Sequence, residues 1–156
     1  MAKQLDEEVE LLRRIPLFAK IELARLKLLA FTSERVTYEP MQELCHQGDI
    51  GDAAYLIISG EADILVDTPS GPLSIAGVGK NALVGEIAII NDVPRTATVK
   101  AKTKLEALRI TKDHFLRLVA EFPDIAIEIM RVLATRVSRT NEELTDARRR
   151  LNELTG

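Results

Sequence analysis

Gly85-Glu86-Ile87-Ala88-Ile89-Ile90-Asn91-Asp92-Val93-Pro94-Arg95-Thr96-Ala97-Thr98-Val99 is the stretch on which the reading of this chain turns. It holds one acid, Glu86, and one base, Arg95, around a short apolar segment. Gly85 has no Cβ, so the backbone there turns sharply and lies close to whatever it faces. Ile87-Ala88-Ile89-Ile90 is too short for an ordinary helix and long enough for one helical turn packed on a core. The start of such a turn presents unpaired N–H groups and partial positive charge, which suits a phosphate. Pro94 pushes Val93 out of the helical region and ends the turn. The forked guanidinium of Arg95 matches two phosphate oxygens, and the small side chains of Thr96, Ala97 and Thr98 leave the main chain open to approach. Glu86, ionised at neutral pH, only accepts hydrogen bonds, so its natural partner is a hydroxyl donor such as a ribose 2′-OH. Together these residues supply the groups that hold one ribose and one phosphate. The plainer alternative is a surface Glu–Arg pair beside a turn, worth about 0–1 kcal/mol.

The string resembles the phosphate-binding cassette of the cyclic nucleotide-binding domain family, which includes the regulatory subunits of cAMP-dependent protein kinase and the bacterial catabolite activator protein. The family pattern runs Gly-Glu-aliphatic-Ala-aliphatic, a variable loop, then Pro-Arg-small-Ala-Thr/Ser-aliphatic. The resemblance implies that Glu86 binds the ribose 2′-OH and Arg95 the cyclic phosphate. The N–H groups of Ala88, Thr96 and Ala97 become phosphate donors, and Val84, Gly85 and Ile87 complete the pocket wall. It also implies an eight-stranded antiparallel β-roll flanked by N-terminal helices and a C-terminal hinge helix that leads into a long helix. Ile15-Pro16-Leu17-Phe18, Gln47-Gly48-Asp49, Tyr55-Leu56-Ile57 and Gly60 are further echoes of the family. Three places depart from it. Met41-Gln42 stands where a Gly-Glu turn is common, Gln47 replaces a Glu, and Lys80 to Val84 lack the usual Gly-x-x-Phe approach. The implied ligand is cAMP, cGMP or both, with no cofactor. Thr96 directly follows the cassette arginine, as in cGMP-responsive members, where its hydroxyl meets a guanine amino group. The alternative is that this hydroxyl simply adds a phosphate contact. One such contact is worth about 0.5–1.5 kcal/mol.

Composition agrees with a packed globule. The 156 residues are 46% apolar, enough for a single domain over 1–156 with its own core. The longest apolar runs fall well short of the ~20 residues that span a bilayer, and Met-Ala-Lys-Gln-Leu-Asp-Glu-Glu has no signal-peptide character. The single cysteine, Cys45, excludes an internal disulfide, fits a reducing cytoplasm and reads as a small buried strand residue. A net charge of −3 gives no support to a nucleic-acid surface. His46 and His114 are far apart and lack a metal-ligand spacing. Ser59 and Ser138 have no His/Asp companions for nucleophilic catalysis. A binding module is therefore favoured over an enzyme.

Three zones separate by hydrophobic period. Residues 1–34 carry helical spacing, with Leu5, Val9 and Leu12, then Leu23, Leu26, Leu29 and Ala30, broken at residues 15–18. Residues 35–111 alternate β-formers with Gly, Pro and Asp/Asn. Strands are expected over 35–38, 43–46, 54–58, 62–67, 73–77, 96–100 and 105–111, with a hairpin turn at Thr68-Pro69-Ser70-Gly71. Residues 112–156 return to helical spacing, with a helix starting near His114 and Phe115 and capped by Asp113 or Thr111. This order makes an α+β fold.

The last helix carries its own pattern. Met130, Leu133, Val137, Thr140, Leu144, Ala147, Leu151 and Leu154 fall at alternating steps of three and four, an a/d heptad seam broken by Thr140. Glu143 and Arg148 occupy g and e positions, placed to pair across a parallel homodimer. By the same resemblance, Thr140 and Asn141 fall where the activator contacts adenine from its dimer interface. The alternative is a lid that folds the apolar stripe onto its own β-roll. Arg148-Arg149-Arg150 reads as a solvated helix face. The resemblance implies a switch in which the phosphate draws the Gly85–Arg95 turn inward. The hinge helix near Phe115–Phe122 follows, and the long helix closes over the base. The chain ends at Gly156, about where the activators' helix-turn-helix domain begins, so the expected output is an unknown downstream protein. A truncated DNA-binding regulator and a nucleotide-silent dimerisation module are the rival readings.

Overall fold

The computed structural model describes residues 2–14, 18–19 and 21–155. Ile15, Pro16 and Leu17 of the expected helix break, and the side chain of Leu5, lie outside them. Two helices, α1 (Ala2–Arg13) and α2 (Leu23–Thr32), lead into eight strands: β1 (Glu34–Tyr38), β2 (Glu43–Cys45), β3 (Ala53–Ser59), β4 (Ala62–Thr68), β5 (Gly71–Val78), β6 (Leu83–Val84), β7 (Thr98–Ala101) and β8 (Leu105–Thr111). Between β6 and β7 lies the one-turn helix α3 (Glu86–Ile90); α4 (Lys112–Glu121) and α5 (Pro123–Thr155) close the chain. The chain divides into two compact units, Met1–Leu118 and Val119–Gly156.

In the first unit the strands form two four-stranded sheets, ordered β1-β8-β3-β6 and β2-β7-β4-β5. Every pairing is antiparallel. This is the expected α+β fold with its eight-stranded β-roll. The inward side chains of both sheets make one core, including Leu44, Tyr55, Ile57, Val84, Val99, Leu105 and Ala107. β3 is buried along nearly its whole length, as its continuous Ala-Ala-Tyr-Leu-Ile-Ile run requires. β3 and β8 are both central in their sheet, so each needs apolar side chains on two faces.

Several boundaries differ from the sequence reading for identifiable reasons. β6 has two residues, paired only with Tyr55 and Leu56, too few to show an alternation. The strand expected from Thr96 begins at Thr98, because Thr96 and Ala97 are held in the cassette bend. The helix expected near His114 starts at Lys112; the Thr111 hydroxyl before it meets His114 Nδ1 at 2.7 Å. Cys45 is half-buried rather than fully enclosed, and burial pushes its thiol pKa up.

The family departures also find their geometry. Met41 adopts φ +77°, the left-handed region that a glycine enters without cost. The turn tolerates it because Met41 N–H donates to Ala101 O and Ala101 N–H to Gln42 O, each at 2.7 Å. Gln47 uses its amide: its Oε1 accepts from the Asp67 N–H at 2.8 Å, and its own N–H donates to Thr98 Oγ1 at 2.9 Å.

β5 is the edge of its sheet, and Leu73 and Ile75 stand exposed on it. Its pairing with β4 is interrupted between Ile64 and Leu65.

In the second unit, α5 opens with Pro123 in its first turn, a position where the missing N–H costs nothing, and Phe122 O accepts from Ile125 N at 3.0 Å. Ile125 and Ile129 are buried. Beyond them Met130, Val137, Leu144, Leu151 and Leu154 are all exposed. Among the described residues no helix is long and apolar enough to cross a membrane.

Gly51 fixes how closely the β2–β3 loop approaches α3. A Cβ built on it collides with the Ala88 Cβ. Gly51→Val is expected to destabilise the first unit by about 1–3 kcal/mol through overpacking, read as a lowered denaturation midpoint with an unchanged slope.

Candidate functional site

The cassette is built on a left-handed glycine. Gly85 takes φ +83° and serves as the N-cap of α3, turning the chain from β6 into the helix. Glu86, the first residue of α3, is 2% exposed, and Ala88 and Ile89 are buried beside it, while Ile87 is half-buried. A carboxylate in the first turn of a helix is favoured by the local N–H dipoles. Asn91 ends α3 with its N–H on Ile87 O at 2.9 Å, and Val93 N–H reaches Ala88 O at 3.2 Å. Asp92 between them takes φ +52°.

Arg95 is 4% exposed. Its Nη1 donates to Gly85 O at 2.8 Å and its Nη2 to Ala53 O at 2.6 Å. The Gly85 carbonyl belongs to the peptide that joins Gly85 to Glu86, so the arginine is pinned to the turn that carries the acid. A Cβ at Gly85 would sit 2.6 Å from Arg95 Nη1, so the glycine is required for this contact as well as for its φ. The main chain of Arg95 is clamped by the β2–β3 loop: Arg95 N–H donates to Asp49 O at 2.8 Å and Gly48 N–H to Arg95 O at 2.9 Å.

The guanidinium lies 5.9 Å from the centroid of the Tyr55 ring. Asp52 Oδ1 stands 3.6 Å from Arg95 Nη2, and Asp52 Oδ2 accepts from Arg109 Nη2 at 3.1 Å. The Asp52 carbonyl also accepts the Lys112 N–H at 2.9 Å, and Lys112 Nζ reaches Asp92 Oδ1 at 3.3 Å. The first residue of α4 is thus tied to both loops that border the cassette. Two neutral carbonyls orient the charge without cancelling it, and Asp52, the carboxylate beside it, is shared with Arg109.

Val84, Gly85, Glu86, Ile87, Ala88, Arg95, Thr96 and Ala97 therefore gather in one neighbourhood of the first unit. Thr96 is exposed and Ala97 half-buried. Thr140 and Asn141 belong to α5 in the second unit, both exposed, and the Thr140 hydroxyl donates to Arg136 O at 2.9 Å. Sequence reasoning missed Asp52, Tyr55 and Arg109 as neighbours of Arg95. The Gly48-Asp49-Ile50-Gly51-Asp52 run was a usable signal for Asp52. The other two become adjacent only through the sheet register, which sets Tyr55 opposite Arg109. Among the described residues no group of His, Cys, Asp and Glu gathers to hold a metal ion.

His46 supports the clamp, since its carbonyl accepts the Asp49 N–H at 3.1 Å. Its Nδ1 lies 2.7 Å from Glu43 Oε2, and this hydrogen bond, with the acid's charge, raises the imidazole pKa above 6.5. A raised folded-state pKa contributes stability below the unfolded value and loses it as pH rises through the folded one. The pair is exposed, so salt screens it. Glu43→Gln is expected to bring the His46 titration back down toward 6.5, followed by its ring proton shifts in NMR.

Residues 35–122 match the cyclic nucleotide-binding domain family. A CRP-like cAMP-activated global transcriptional regulator of Mycobacterium tuberculosis is 30% identical over 88% of this chain and 62% of its own length. The cAMP-dependent protein kinase regulatory subunit of Yarrowia lipolytica is 35% identical over 72% of this chain and 30% of its own. Among solved structures, the catabolite activator protein of Thermus thermophilus superposes with a TM-score of 0.72 at 27% identity, covering 83% of this chain and 61% of that one. The chain thus spans under two thirds of the length of these relatives. With the cassette, the roll and the buried arginine in place, this chain belongs to the cyclic nucleotide-binding domain family.

Proposed function

We propose that this protein is a cyclic nucleotide sensor whose ligand is cAMP, with cGMP bound more weakly or comparably, and whose C-terminal helices carry the signal to a partner. The observation that carries the reading is Arg95: a buried guanidinium held in place by the Gly85 and Ala53 carbonyls, next to a buried acid at the start of α3. In this reading Arg95 takes the cyclic phosphate and Glu86 the ribose 2′-OH. Ala88, Thr96 and Ala97 offer main-chain N–H groups, and Val84, Gly85 and Ile87 shape the wall. The names of the relatives, cAMP-activated and cAMP-dependent, favour cAMP. The Thr96 hydroxyl adds at most about 1.5 kcal/mol toward cGMP, roughly tenfold, a preference and not a gate.

The switch follows from differential contacts, since a ligand shifts an equilibrium only by binding one state better. The phosphate draws the Gly85–Arg95 segment inward, α4 follows through Lys112, and α5 responds. The exposed seam on α5 supports homodimerisation, placing Thr140 and Asn141 at the subunit boundary, where they meet the base. Glu143 at g and Arg148 at e attract across a parallel pair, and a helix of this length runs about 50 Å. The reading also places the protein in the cytoplasm and outside catalysis, its output passing to an unknown downstream protein.

Calorimetric titration with cAMP and cGMP tests the ligand; silence with both would sink the sensor reading. Arg95→Ala is expected to weaken binding by about 2–5 kcal/mol, roughly 30- to 5000-fold, because the phosphate loses its buried counter-charge. An unchanged affinity removes Arg95 from the site. Leu144→Glu is expected to shift sedimentation toward monomer, and a persistent dimer would point to an interface elsewhere.

A further inference from the structure

The chain has only two tyrosines, Tyr38 and Tyr55, and no tryptophan, and both tyrosines lie in or against the core of the β-roll. One rung of the β1-β8-β3-β6 sheet runs Glu34, Arg109, Tyr55, Val84, and the next residue after Val84 is Gly85 of the cassette. Tyr55 is 5% exposed, with its ring 5.9 Å from the Arg95 guanidinium carbon. Arg109, opposite Tyr55 across the β3–β8 ladder, bonds the Asp52 carboxylate at 3.1 Å, and the same carboxylate stands 3.6 Å from Arg95.

We infer that Tyr55 is a positioning residue for the anion-binding arginine, closing a loop of contacts Arg95–Tyr55–Arg109–Asp52–Arg95 that holds the guanidinium in one plane. This inference rests on the reading of Arg95 as the phosphate ligand. The guanidinium carbon stands over the ring, 5.9 Å from its centroid, within the ~6 Å reach of a cation–π contact. The carbonyls of Gly85 and Ala53 take two edge donors, so an incoming anion meets the remaining edge in a fixed orientation. Arg109, the cross-strand neighbour of Tyr55, holds the Asp52 carboxylate, and that carboxylate stands within reach of Arg95.

Tyr55→Phe keeps the ring and removes only the hydroxyl; Tyr55→Leu removes both. The full chain is titrated with cAMP well below each variant's melting temperature, and the arginine Nε–Hε resonances are recorded by NMR. Tyr55→Leu is expected to weaken cAMP about tenfold or more, Tyr55→Phe about threefold or less. The Arg95 Nε–Hε signal, shifted by the ring current in the wild type and in Tyr55→Phe, moves toward a solvent-like position in Tyr55→Leu. A merely structural tyrosine would lower both melting temperatures and leave the folded variants' affinities and the Arg95 resonance unchanged. Tyr55→Leu binding within twofold of wild type, or an Arg95 signal indifferent to the ring, overturns the inference. If the wild type binds no cAMP, the sensor reading fails, and the NMR arm alone decides whether Tyr55 positions Arg95; should Tyr55→Leu not fold, Tyr55→Phe and the wild-type ring-current shift decide it.

Discussion

A charged guanidinium buried among main-chain carbonyls is the constraint around which the first unit is organised. Taking Arg95 out of water is costly unless its donors are met. The fold meets them from opposite directions: Ala53 O at the start of β3, Gly85 O at the end of β6, and the Asp49 carbonyl on the main-chain N–H. Gly85 is 10 residues away in sequence and Ala53 is 42, so the arginine reaches its place only once β3, the end of β6 and the β2–β3 loop have come together. Under the role proposed for Arg95, anion affinity and the integrity of the roll share one residue. The neutral acceptors orient the guanidinium without neutralising it, and the Asp52 carboxylate beside it is shared with Arg109.

Backbone geometry sets how near the surrounding segments come. Gly85 turns at a φ that side chains avoid, and the space its Cβ would fill belongs to Arg95. Gly51 plays the same part on the other side, letting the β2–β3 loop lie against Ala88. Met41, Asn81 and Asp92 also take positive φ, each at a junction between elements. For Asn and Asp this conformation is mild, whereas at Met41 the paired hydrogen bonds to Ala101 and from it to Gln42 offset the strain. Lys112, bound to Asp52 and facing Asp92, joins this tightly spaced region to the start of α4. A shift of the cassette is felt there directly, through one main-chain bond and one exposed ion pair.

The cassette was legible because its chemistry is local: turn, acid, helical turn, proline and arginine lie within fifteen consecutive residues, and each residue type has one obvious use. The hairpin at Thr68–Gly71 and the helical and β zones were legible for the same reason. The network behind Arg95 was not. Asp52 comes from the β2–β3 loop and Tyr55 and Arg109 from two strands, and nothing in a linear reading says that Tyr55 faces Arg109 or that its ring lies under Arg95. β6 escaped because two residues carry no period, and β7 was read two residues too early because Thr96 and Ala97 have β-forming neighbours but are bent by the cassette. The α5 seam was plain as a pattern, and one continuous helix carries it.

The open border of β5 bears on how the molecule behaves in concentrated solution. A strand whose outer edge is open, with Leu73 and Ile75 exposed on it, is a template on which another chain can add itself and start a fibril. Two features of the same strand counter this. Pro72 removes a donor from the outer row, and the break in register at Ile64 and Leu65 twists the ribbon away from the flat shape that stacking demands. Colloidal restraint is thus written into the least buried strand of the roll.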